Sequence, residues 1–69
     1  LQAPAEAAKL KKKAQELSAR NDWPGAERNL EAALKKYETD PEAWLGLGLA
    51  LKRQGKPSDA AFQRASDLD

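Results

Sequence analysis

The sequence predicts an all-α protein with four helices. Alanine is abundant, whereas β-branched residues are almost missing, with no Val, no Ile and a single Thr, Thr39. Apolar residues also recur at intervals of three and four along most of the chain, as they do on one face of a helix. The breaks between these segments are short, so neighbouring helices are expected to run antiparallel.

The stretch 43–51 is ambiguous by its local pattern. Its four leucines alternate with small residues, which is typical of a half-buried strand. Trp44, Leu47, Gly48 and Leu51 also fall at i, i+3, i+4 and i+7, which is one stripe of a helix. The local pattern fits both a strand and a helix, so the assignment depends on the residues that flank this stretch.

The first helix is expected over 5–20, with Pro4 in its first turn, where a missing N–H costs nothing. Its apolar stripe consists of Ala7, Leu10, Ala14 and Leu17. Asn21 and Asp22 break the chain, since both favour caps and turns. Pro24 then opens a second helix. The second apolar stripe consists of Ala26, Leu30, Ala33, Leu34 and Tyr37.

A clear helix start follows, with Asp40 as N-cap, Pro41 at the first helical position and Glu42 in the first turn. Gly55 supplies a left-handed stop after about Gln54. The ambiguous stretch lies between these signals and is therefore expected to be helical. A fourth helix opens at 56–59. Its buried face is expected to contain Ala61, Phe62, Ala65 and Leu68.

Composition excludes several classes of function. The 69 residues form one domain at most, and they contain neither Cys nor His. The serines therefore have no His to activate them, and no run of carboxylates has the spacing of a calcium loop. The sequence predicts no enzyme, no metal site and no cofactor.

Charge and hydropathy also limit the partners. With 12 Lys and Arg against 11 Asp and Glu, the net charge is +1. The lysine run Lys9, Lys11, Lys12 and Lys13 spreads around a helix without interleaved aromatics, so a solvated face is favoured over a nucleic-acid site. No apolar run approaches the ~20 residues of a membrane span. The start at Leu1, without Met or a signal segment, is consistent with a fragment or processed chain, and the sequence indicates no compartment.

An internal repeat with a period of 34 residues relates the two halves of the chain. It pairs Leu10 with Trp44 and Ala14 with Gly48. The second half reads Trp44-x2-Leu47-Gly48-x2-Leu51, followed by Gly55 and Ala60, and this resembles the tetratricopeptide repeat pattern W-x2-L-G-x2-Y, then G, then A. The resemblance implies two helix-turn-helix hairpins stacked as a short α-solenoid, with repeat one at 7–40 and an incomplete repeat two at 41–69.

The pattern and the resemblance together give the expected packing residues. These are Leu10, Ala14, Leu17, Ala26, Leu30, Ala33, Trp44, Leu47, Gly48, Leu51, Ala60 and Phe62. Trp23 is expected to make a staple-like contact at the entry of the second helix. Phe62 and Ala65 come two residues too early relative to Ala60 for the family pattern, so the last helix is either short or rotated.

The resemblance also implies a binding face. Because the apolar stripe of the third helix is expected to pack in the core, Leu45 and Leu49 are expected to point away from it. In the family, this face of the helix lines a concave groove that binds extended peptides or a partner helix. The implied groove residues are Lys11, Gln15, Ser18, Glu42, Leu45, Leu49, Lys52 and Arg53. Gln15 and Gly46 replace the asparagines of the family's carboxylate clamp, so that ligand is not expected.

The sequence therefore predicts a non-catalytic protein–protein interaction module, a scaffold or adaptor. An apolar pair flanked by the cations Lys52 and Arg53 suits a partner with apolar anchors and acidic neighbours. The alternative is a structural unit that forms homo-oligomers, in which Leu45 and Leu49 pack on a further repeat, a swapped helix or a second copy.

Overall fold

Four helices follow one another along residues 4–69, the part of the chain that the structure, a computed structural model, describes. They are α1 (Ala5–Ala19), α2 (Trp23–Lys36), α3 (Pro41–Arg53) and α4 (Asp59–Leu68), and each packs against the next. The described residues contain no strand, and the ambiguous stretch 43–51 lies within α3. The all-α prediction is confirmed. The sequence predicts a loose end at residues 1–3, and these residues lie outside the described part of the chain.

Side-chain caps fix the starts of the two middle helices. One oxygen of Asp22 accepts a hydrogen bond from the Gly25 N–H at 3.1 Å, and Asp40 accepts one from the Glu42 N–H at 3.0 Å. A proline sits in the first turn of both helices. These caps satisfy N–H groups that have no partner inside the helix, which is why the two starts could be read from the sequence.

The ends of α1 and α3 share one stop motif, 34 residues apart. Asn21 and Gly55 adopt left-handed backbone conformations, with φ of 62° and 72°. In each case the following N–H reaches back five residues, from Asp22 to the Leu17 carbonyl at 2.8 Å and from Lys56 to the Leu51 carbonyl at 3.0 Å. This is the Schellman motif, which turns the chain sharply and pairs the last carbonyls of the helix.

Small residues at the contacts bring the helices close together. The core consists of Ala14, Ala26, Leu30, Leu34, Ala43, Leu47, Ala50 and Ala61. A Cβ on Gly48 would lie 2.9 Å from the ring of Phe62, so the missing side chain lets that ring lie against the α3 backbone. A Cβ on Gly46 would lie 3.2 Å from Leu30, where α3 meets α2.

The structure corrects one expected packing residue. Ala60 is exposed, whereas Ala61 and Ala65 are buried and Phe62 is half-buried. The reason lies in the loop before α4. Asp22 caps α2 directly after Asn21, whereas α4 begins only after Ser58, three residues past Gly55. Counted from the N-cap, Phe62 rather than Ala60 then corresponds to Ala26, and at ~100° per residue this two-residue shift turns Ala60 away from α3.

The other expected packing residues are all buried or half-buried. The side chain of Trp44 is half-buried, and its Nε1–H donates to the Glu38 carbonyl at 2.7 Å. The guanidinium of Arg64 lies 5.5 Å from the centre of the Trp44 ring, a distance typical of a cation–π contact. Trp23 is half-buried against the core at the start of α2.

Candidate protein-binding groove

The exposed face of α3 carries two large apolar side chains. Leu45 is 55% exposed and Leu49 is 41% exposed, and the other large apolar side chains among the described residues are buried or half-buried. They stand one helical turn apart on the same face. Ala43, Leu47 and Ala50 are buried on the other side of α3, so packing of the helix fixes this pair outward.

Leu45 and Leu49 form one wall of a groove between α1 and α3, which we name the α1–α3 groove. It has a volume of about 420 Å³. Six of the eight expected groove residues line it, namely Lys11, Gln15, Ser18, Glu42, Leu45 and Leu49. Ala14, Leu30 and Gly46 complete the lining. Since Gly46 has no side chain, the groove reaches down to Leu30 of α2, and its floor is apolar.

Lys11 is held at the rim by two carboxylates. Its Nζ lies 2.7 Å from Oδ2 of Asp40 and 3.1 Å from Oε1 of Glu42. Asp40 is 7% exposed and is the one charged residue that is buried among those the structure describes. Desolvation disfavours the charge on Lys11, but the hydrogen bonds and Coulombic attraction to both carboxylates outweigh it, and the pKa of Lys11 is raised.

This pairing changes the expected role of Lys11. Because its ammonium already contacts two carboxylates within the chain, Lys11 is poorly placed to form an ion pair with an acidic partner. The sequence identified Asp40 as an N-cap and Lys11 as a groove residue, but not their contact, because they stand 29 positions apart. The period of 34 could have pointed to it, since Lys11 and Leu45 occupy equivalent positions of the repeat and Lys11 lies beside the start of α3.

The structure does not place the other two expected cations at the groove. The guanidinium of Arg53 lies 5.6 Å from the centre of the Trp23 ring, and Arg53 is absent from the groove lining. Lys52 is exposed one turn beyond Leu49 and does not line the groove either. The expectation of acidic neighbours on the partner rested on these two residues, and of the two only Lys52 remains exposed near the Leu49 end of α3.

A second groove continues from the first across α3. This α3–α4 groove has a volume of about 430 Å³ and contains the exposed side of Phe62. It is lined by Pro41, Glu42, Leu45, Phe62, Ala65, Ser66 and Asp69. Because both grooves are lined by Leu45 and Glu42, they form one continuous surface along α3.

A polar tie fixes the far side of the molecule. Oε1 of Glu27, on α2, accepts hydrogen bonds from Gln54 Nε2 at 2.8 Å and Lys56 Nζ at 2.9 Å. These bonds lower the pKa of Glu27 below its ordinary value of 4.5. The tie holds the loop after α3 against α2, so that the orientation of α3 is set at both of its ends.

Within residues 4–69, no group of three or more acidic side chains is arranged to hold a metal ion. Nor does that part of the chain contain a helix long and apolar enough to cross a membrane. What the surface offers is an apolar wall with polar and charged edges, which is suited to contact with another chain.

Consecutive packed helices and a stop motif that recurs after 34 residues are typical of a helical-repeat protein. The sequence model of the tetratricopeptide repeat matches residues 11–69, and the chain therefore belongs to the tetratricopeptide repeat family. Proteins of this family generally act as protein–protein interaction modules and are typically non-catalytic. No curated protein and no solved structure matches the chain significantly.

Proposed function

We propose that this chain is a protein-interaction module that binds a segment of another protein through the α1–α3 groove. The observation that carries the proposal is the pair Leu45 and Leu49, 55% and 41% exposed on one wall of an apolar groove. Removing apolar surface from water stabilises a protein or complex by about 25 cal/mol for each Å², and the exposed pair does not contribute this free energy in the unbound chain. A partner segment that covers the pair recovers it.

The architecture supports this role. Both walls of the groove belong to helices rather than loops, and the contact from Lys11 to Asp40 ties one wall to the other. The backbone of the lining residues therefore loses little conformational freedom when a partner binds. Gln15 and Ser18 at the edge can form hydrogen bonds to a partner backbone, since amide and hydroxyl groups both donate and accept.

Selection of displayed random dodecapeptides on the immobilised protein tests the proposal. Peptides enriched on the wild type are synthesised with a fluorescent label, and their affinity is measured by anisotropy. We expect Leu49→Asp to weaken binding at least tenfold, because it places a carboxylate against the apolar anchors of the peptide.

Ala60→Asp is the matched control, since Ala60 is exposed on α4 and lines neither groove. Far-UV circular dichroism has to show that both variants keep their helices. If a folded Leu49→Asp variant binds the enriched peptides as tightly as the wild type, the proposed site is wrong.

Self-assembly is the second candidate, and the same exposed pair favours it. Two copies could bury Leu45 and Leu49 against each other, as in an isologous dimer. Sedimentation velocity over a concentration series distinguishes the two functions. A dimer that dissociates in the Leu45→Asp/Leu49→Asp variant supports assembly, whereas a wild type that stays monomeric at all concentrations excludes it.

A further inference from the structure

We infer that the partner segment is cationic where it crosses the start of α3, and that it carries Lys or Arg there beside its apolar anchors. This inference rests on the proposed function. It concerns the chemistry of the partner rather than the existence of the site, and it replaces the acidic partner that the sequence had favoured.

The surface that would receive the segment is longer than the α1–α3 groove alone. The α1–α3 and α3–α4 grooves meet at Leu45 and Glu42. Ser18 and Leu49 lie at one end of this surface, and Ser66 and Asp69 lie at the other. A segment that covers Leu45 and Leu49 and continues along α3 therefore passes over Glu42 and approaches Asp69.

The charges along this path are mainly negative. Lys11 is the only cation among the described residues that line either groove, and its ammonium already contacts Asp40 and Glu42. Those three groups together leave one negative charge. The side chain of Glu42 is 75% exposed, and Lys11 contacts only one of its oxygens, so the other is open to a donor. Asp69 adds a second exposed carboxylate, and no ion pair to it is found within residues 4–69.

The remaining cations near α3 lie elsewhere. Arg53 is placed over Trp23, and Arg64 is placed over Trp44. Lys52 is exposed beyond Leu49, at the opposite end of α3 from Glu42. Charge therefore changes sign along the exposed face of α3. A segment with a cationic end is complementary to this surface in one direction, with that end over Glu42 and Asp69.

The peptides selected on the wild type test this inference, after depletion of the library on the Leu45→Asp/Leu49→Asp variant. We expect the enriched peptides to carry more Lys and Arg than Asp and Glu beside their apolar residues. Replacing those cations by Glu in a synthetic peptide should weaken binding at least fivefold at low ionic strength. The difference should shrink as salt is added, because exposed charges are screened.

The matched protein variants are Glu42→Gln/Asp69→Asn and, as control, Glu16→Gln/Asp67→Asn. Both change the net charge equally, but Glu16 and Asp67 line neither groove. Only Glu42→Gln/Asp69→Asn should lower the affinity for the cationic peptide severalfold. This variant should also bind the cationic peptide and its Glu-substituted form with similar affinity. Equal effects of the two variants would show a general charge effect and would overturn the inference.

The outcomes separate the two levels of the argument. Enriched peptides that are acidic or uncharged, yet lose binding to Leu49→Asp, overturn the cationic partner and leave the groove standing. A selection that enriches nothing over the Leu45→Asp/Leu49→Asp variant overturns both.

Discussion

The ammonium of Lys11 lies 2.7 Å from Oδ2 of Asp40, and the other oxygen of the same carboxylate accepts the Glu42 N–H at 3.0 Å. One buried carboxylate thus begins α3 and ties it to α1. The position of Leu45 and Leu49 relative to α1 depends on this contact, since both lie on the helix that Asp40 begins. The stability of the groove and its geometry are therefore linked.

Lys11→Met should destabilise the protein by about 1–3 kcal/mol, because it leaves the buried Asp40 carboxylate without its cation. Met retains the apolar stem of the side chain, so the change isolates the charge. Urea unfolding followed by circular dichroism gives the free energy of unfolding. Lys36→Met is the control, since Lys36 pairs with Glu6 at the surface, where their side chains are 51% and 71% exposed. Its effect should stay within about 0.5 kcal/mol, and equal losses from the two variants would contradict the role of Asp40.

Gly48→Ala should destabilise the wild type by about 1 kcal/mol, because the new Cβ would lie 2.9 Å from the Phe62 ring. In a Phe62→Ala background the sign should reverse. The higher helix propensity of Ala then acts alone and stabilises the protein by up to about 1 kcal/mol. Urea unfolding of the wild type, the two single variants and the double variant gives the coupling energy. A stabilising effect of Gly48→Ala in both backgrounds would mean that the ring does not limit this contact.

Gly55→Ala should cost about 1–2 kcal/mol, since Gly55 has φ of 72° and Ala is strained in that region. Because no atom lies within 4 Å of the position of the added Cβ, the expected loss of stability comes from backbone strain and not from a steric clash. Gly55→Asn should cost less, because Asn tolerates this conformation and occupies the equivalent position at Asn21 with φ of 62°. The midpoint temperature of thermal unfolding should be highest for the wild type, lower for Gly55→Asn and lowest for Gly55→Ala. The reverse order for the two variants would contradict the stop motif.

Glu27→Gln should lower the stability of the fold at neutral pH and change it little in acid. The hydrogen bonds from Lys56 and Gln54 lower the pKa of Glu27 below 4.5, so the charged form stabilises the fold. That contribution is present above the pKa of the unfolded chain and is lost as the pH falls through the lowered pKa of the folded state. Urea unfolding should show that the substitution lowers the free energy of unfolding by about 1 kcal/mol at pH 7, and this loss should fade as the pH falls through the lowered pKa of Glu27.

Glu31→Gln is the control for this pH dependence. Glu31 is exposed on α2, and no ion pair to it is found in the described part of the chain. Its substitution should change the stability little at either pH. A pH dependence of the Glu27→Gln effect that matches that of Glu31→Gln would exclude a specific role for the tie to Lys56.

Local chemistry made most of the fold predictable. Pro24 and Pro41 in first turns, the cap at Asp40 and the stop at Gly55 act within a few residues of themselves, so their effects could be read along the chain. The last helix was harder. The loop between Gly55 and α4 is longer than its counterpart after Asn21, and nothing local fixes how far such a loop rotates the helix that follows. Ala60 was therefore expected inside, although it is exposed and Ala61 is buried.

The sequence by itself determined that the chain is helical, where three of its helices begin or end, and that Leu45 and Leu49 would be left over from packing. Each of these depends on spacing within one helix or one turn. Only the tertiary structure decided that Lys11 is held by Asp40 and Glu42, that Arg53 lies over Trp23, and that the path along α3 is mainly negative. Long cationic side chains reach several ångströms from their backbone, so their partners are chosen by how the helices pack rather than by their place in the sequence.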